Sequence, residues 1–123
     1  MKKEYEFLIE EFKKVSKDIE KEIDECLLYW DPDTPPITII FASIGRKAFE
    51  HFDQITSANK NLFFNLIEIG ITSSNIQISN AIATGLLEAI VNRSVTTQEK
   101  WVEFNSGLQV NSKKYVNSYL SLM

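Results

Sequence analysis

The chain predicts an all-α fold: a single compact bundle of about six helices, with a long amphipathic N-terminal helix and a buried central helix over 74–92. Three observations carry that expectation. Residues 74–93, SNIQISNAIATGLLEAIVNR, are apolar around most of a helical circumference. Apolar residues elsewhere recur at spacings of three and four, the helical period. Helix caps and breakers punctuate the chain where those periods stop.

The central stretch sets the frame. Ser74 with Gln77 three residues on forms a capping box, which satisfies free amides at a helix start. At 100° per residue, Gln77, Asn80, Thr84 and Glu88 fall on one narrow polar stripe. The remaining faces carry Ile76, Ile78, Ala81, Ile82, Leu86 and Ile90, so the helix is expected to be buried on most sides. Gly85 costs about 1 kcal/mol against alanine inside a helix. Ala81, Gly85 and Ala89, at i, i+4 and i+8, suggest the compensation: a small-residue ridge that admits a close neighbour.

The elements follow in order. Residues 3–30 read as one long helix, with Tyr5, Leu8, Phe12, Val15, Ile19, Ile23, Cys26 and Trp30 on one stripe. Its narrow stripe is expected to pack on a core formed by 35–121, all within one domain over 1–123. About four heptads would also allow a homodimeric coiled coil through this helix. The run Asp31-Pro32-Asp33-Thr34-Pro35-Pro36 stops it, because proline lacks an amide donor and disfavours helical dihedrals before it. Thr34 then serves as the next cap, with Pro35 at the first helical position. Residues 37–41, ITIIF, would pass for a strand. However, Ile37, Ile40, Phe41, Ile44, Ala48, Phe52 and Ile55 hold a helical face over five turns, so helix is preferred. Gly45 interrupts that face at a second expected close contact. Ser57 or Asn59 opens a further helix with Leu62, Phe63, Leu66, Ile67 and Ile69 inward, ended by Gly70. Thr96 with Glu99 starts a short helix through Trp101 and Phe104, and Gly107 stops it. Asn111 or Ser112 caps a last helix burying Tyr115, Val116, Tyr119 and Leu120.

Composition narrows the function classes. The 123 residues carry a net charge of −4, which opposes nonspecific nucleic-acid binding. No run approaches 18 uncharged apolar residues, so no membrane span is expected. The acidic N-terminus does not fit a secretory signal, which predicts a cytoplasmic protein. Asn92-Arg93-Ser94 matches a glycosylation acceptor, which has no meaning without such a signal. A single cysteine, Cys26, excludes an internal disulfide and a cysteine-cluster metal site, and is read as an inert buried thiol. The glycines at 45, 70, 85 and 107 form neither a P-loop nor a dinucleotide fingerprint, so no cofactor is expected. Asp31 and Asp33 are better explained by turn chemistry than by a cation. His51, the one histidine, could serve as a general base with Glu50 or Asp53, but no nucleophile sits at a recognisable spacing. A satisfied structural histidine is the preferred reading and a small enzyme the distant one.

Three groups of residues carry a family resemblance over roughly 37–120. They are Ile44-Gly45-Arg46 with Glu50-His51-Phe52-Asp53, the run AIATGLLEAI over 81–90, and Trp101 with Gly107 and Lys114-Tyr115. Together they resemble a family of small bacterial all-helical domains of unknown function, some of them similar to toxin-immunity proteins. The resemblance implies a cytoplasmic, non-enzymatic binding protein and supplies no catalytic residue. An acidic binder suits a basic partner, such as a nuclease toxin domain, by electrostatic steering. The expected contacts are Asp31, Asp33, Glu50 and Asp53, on a turn and on the polar side of the second helix. The chain is then a monomer or weak homodimer. A scaffold that dimerises through the N-terminal helix is the alternative.

Overall fold

A computed structural model describes residues 3–94 and 97–122. Among these, every regular element is helical. Seven helices follow one another: α1 (Glu4–Lys13), α2 (Lys17–Trp30), α3 (Ile37–Glu50), α4 (Ser57–Ile71), α5 (76–94), α6 (Gln98–Gly107) and α7 (Val110–Ser121). A 3₁₀ turn, Phe52–Gln54, joins α3 to α4. No helix of the described residues is long and apolar enough to cross a membrane.

The expected long N-terminal helix is two. Ser16 adopts an extended backbone, and its hydroxyl accepts from the Ile19 amide at 3.1 Å. That cap gives the chain a local alternative to continuing the helix, and acids at 18 and 20 favour the new N-terminus. The apolar stripe runs on across the break: Phe12, Val15, Ile19 and Ile23 are completely buried. The continuous rod that a four-heptad coiled coil requires is therefore interrupted, and its seam is spent on the chain's own core.

The centre is the crossing of α3 and α5. The stretch over 37–41 is helical, as its longer period predicts. Its helix opens at Pro36, not at Thr34. Along α5, Asn75 replaces the expected Ser74 as the cap, accepting from the Gln77 amide at 3.0 Å. Its middle, Ala81–Leu87, is wound as a π-helix. There the Thr84 hydroxyl donates to the Asn80 carbonyl at 2.7 Å, a bond that competes with the helix ladder. Of the expected small-residue ridge, Gly85 makes a close approach to α3. A Cβ on Gly85 would lie 2.8 Å from the Thr38 carbonyl oxygen, and one on Gly45 2.6 Å from that of Leu86. The two helices thus meet backbone to backbone.

The outer helices close around this pair through an aromatic chain. Phe12 packs edge-on against Phe41 and Phe63, and Phe63 against Phe104. Phe52 and Phe64 complete it, with centroids 5.5 and 5.3 Å from Phe104. Such pairs add about 0.5–1.5 kcal/mol each beyond their burial. Thr56, not Ser57 or Asn59, caps α4. Gly70 does not end α4 but lies inside it, where a Cβ would meet the Ile82 side chain. Ile69 points outward instead of inward, and Leu120 is likewise exposed. The expected cap at Thr96 lies outside the described residues. The last helix is capped from a distance. The Glu68 carboxylate accepts from the amides of Asn111 and Ser112, both at 3.0 Å, and from their side chains at 2.8 Å. Burial pushes the Glu68 carboxyl up, but these four bonds outweigh it and hold the pKa below the ordinary range.

Two predictions follow from this packing. Gly45→Ala gains about 1 kcal/mol of helix propensity but loses about 2–3 to overpacking against a rigid carbonyl. A lower urea midpoint is expected, and a midpoint at or above wild type contradicts the close crossing. Because Glu68 has a depressed pKa, its contribution is present above the unfolded-state value and is lost as pH falls through the folded one. Glu68→Gln should therefore cost about 1 kcal/mol at neutral pH and nothing in acid below the folded pKa. A constant difference across that range, measured by denaturation at several pH values, excludes the remote cap.

Candidate functional site

The α2–α3 corner is the place where the fold leaves unusual chemistry on its surface. The last turn of α2 closes when the Asp31 amide donates to the Leu27 and Leu28 carbonyls. The Asp33 amide donates to the Trp30 carbonyl at 2.7 Å and tightens the turn. Pro35 is buried, which draws the chain back toward the core and into α3. What precedes it is left projecting. Leu28 and Tyr29 are 74% and 85% exposed, although both are large and apolar. The Tyr29 ring rests edge-on against Trp30, with centroids 6.4 Å apart. Ile39, on the first turn of α3, is also exposed at this end.

Charge is concentrated along the same element. Between residues 18 and 33 there are seven acids against one lysine, a net of −6, where the whole chain carries −4. Most of the α2 acids are matched locally: Asp24 with Lys13 at 3.1 Å, Glu22 with Lys47 at 3.6 Å, Glu20 with Lys17 at 3.8 Å. Asp31 and Asp33 are exposed and enter no ion pair among the described residues. An aromatic and an aliphatic side chain therefore stand beside two uncommitted carboxylates on a hydrogen-bonded turn.

No family model, curated protein or solved structure matches this chain. The surface must be weighed by its own chemistry.

The four acids expected to make contact do not form one patch. Asp31 and Asp33 precede α3, whereas Glu50 is its last residue and Asp53 follows it, about 20 Å away along a 14-residue helix. Asp53 is exposed on the 3₁₀ turn. Glu50 is already engaged: its carboxylate meets Arg93 at 2.6 Å and Lys47 at 3.8 Å, and its carbonyl accepts from Lys100 at 3.0 Å. It ties α3 to α5 and α6. His51 is half-buried at the end of α3, with Nδ1 3.9 Å from an Asp18 carboxylate oxygen and no hydrogen bond. Among the described residues no hydroxyl or thiol bonds to it, so the arrangement lacks the nucleophile that triad chemistry needs. Neither Glu50 nor Asp53 is its partner. Burial pushes the Cys26 thiol up, with Glu22 adding to the effect, which leaves it a poor nucleophile. The polar stripe of α5 is exposed at Gln77, Asn80 and Thr84. Glu88 instead turns to α7 and accepts from the Tyr115 hydroxyl.

The sequence led to an expectation at the two aspartates but not to the exposure of Leu28 and Tyr29. Their signal was present: neither belongs to the stripe that runs through Ile23, Cys26 and Trp30, so a helix packing by that stripe had to expose them.

Proposed function

We propose that this chain is a non-enzymatic protein-binding module that docks a basic partner through its α2–α3 corner, in the manner of an immunity protein capping a toxin. One observation carries the reading: Leu28 and Tyr29 are exposed near two carboxylates that enter no ion pair among the described residues. Tyrosine is a frequent binding anchor, because it buries a large rigid surface for little lost entropy. The surplus of acid along 18–33 raises the rate of encounter with a basic surface. The resemblance of 37–120 to small bacterial helical domains points the same way.

The test is kinetic. The intact chain serves as bait in an extract of its source cells, and association of the purified partner is followed at low and moderate salt. Asp31→Lys combined with Asp33→Lys should slow association about tenfold or more at low salt, with the effect shrinking as salt rises. Thermal stability should be unchanged, since both side chains are exposed. Unaltered association in the double variant rejects the corner as the contact surface.

A further inference from the structure

We propose that a second surface, the groove between α1 and α4, receives an amphipathic helix of a partner, apolar face inward and lysine or arginine side chains at its rim. This goes beyond the corner and does not rest on it. The groove is open and holds ≈ 490 Å³, within the roughly 300–1,000 Å³ of ligand sites. Its shape is helical on both sides. One wall is Glu4, Phe7, Leu8 and Glu11, an i, i+3, i+4, i+7 stripe of α1. The other is Leu66, Ile69, Gly70 and Ser73, the same spacing on α4 and just past its end. Two walls of this kind, each about 10 Å long, form a seat for two turns of a third helix.

The lining states the chemistry of the occupant. Ile69 is 60% exposed, and Ile76, at the nearby start of α5, is 74% exposed. Of the eight phenylalanines, Phe7 alone is exposed, at 58%, while the other seven are buried. Both charged residues of the lining are acidic. Glu4 accepts one bond, from the Asn75 side chain at 3.1 Å, and Glu11 meets Lys14 at 2.5 Å. A carboxylate has about four acceptor positions, so each retains capacity for a further cation. Apolar walls between two carboxylates match a helix with leucine-like residues on one face and basic residues flanking it. They mismatch an acidic one.

The probe is a synthetic helical peptide of leucine and lysine, ~14 residues long, with leucine at i, i+3, i+4 and i+7; shorter helices are marginal in water. A second peptide replaces every lysine with glutamate. Binding to the full chain is measured by titration calorimetry and by amide chemical shifts. The leucine–lysine peptide should bind, with shifts concentrated over 4–11 and 66–76, and the glutamate version at least about tenfold more weakly. Ile69→Lys and Glu11→Lys should each weaken the first peptide about tenfold, with the helical circular-dichroism spectrum retained. Asp31→Lys with Asp33→Lys should leave its affinity unchanged, which separates this surface from the corner. Failure of the leucine–lysine peptide to bind overturns the proposal. So does equal binding of the two peptides, shifts confined to 27–39, or undiminished affinity in both groove variants.

Discussion

The structure depends on one close approach. Gly45 and Gly85 remove the side chains that would hold α3 and α5 apart, and each faces a carbonyl of the other helix. Once the backbones touch, Ile40, Phe41, Ile44, Ile82 and Leu86 are enclosed on both sides of the contact. Glycine in a helix is unfavourable by itself, at about 1 kcal/mol per residue. The crossing offsets this through dispersion and burial that no larger residue would permit. The π-wound middle of α5 lies at the same point, where the Thr84 hydroxyl holds the Asn80 carbonyl. Shape and winding therefore change together at the one place where two helices come nearest.

The other helices are arranged to cover this pair, and their fastenings differ. α1 and α4 join through the contact between Phe12 and Phe63, and α6 enters by Phe104. α7 is held by polar groups: the Glu68 carboxylate at its start, Glu88 on Tyr115, and Asn92 on Tyr119 at 3.2 Å. Exposed apolar groups are consequently left to the periphery. The corner after α2 and the groove beside α1 carry apolar groups that the core does not need, each next to acids.

Much of this was legible in the residues. The buried character of 74–92, the helical period through 37–50 and the close approach at Gly85 all follow from spacing alone, although the face expected to run on to Ile55 leaves the α-helix after Glu50 for a 3₁₀ turn. So does the stop at Asp31-Pro32, since a proline run has few alternatives. Other features were hidden by competition between signals. The stripe from Tyr5 to Trp30 keeps its period through Val15, and that continuity masked the cap at Ser16. Gly70 near a helix end looks like a terminator, yet the space it leaves is for Ile82. Ile69 and Leu120 are apolar but exposed, and no pattern within one helix says which neighbour will be absent. The remote cap by Glu68 joins residues more than forty positions apart, a pairing that only the tertiary fold creates. For the candidate surface, Asp31 and Asp33 were expected from the chain's acidity, and both are exposed. Glu50 is separated from them by the length of α3 and is paired with Arg93.

Native-state hydrogen exchange tests the central claim most directly, because it reads the opening energy of each helix separately. If the α3–α5 crossing holds the fold together, amides of 44–48 and 86–90 should exchange only through global unfolding, with the largest protection in the chain. Those of α1 and α7 should open earlier and at lower free energy. Amides over 86–90 that exchange by local opening while α1 stays protected would contradict the account.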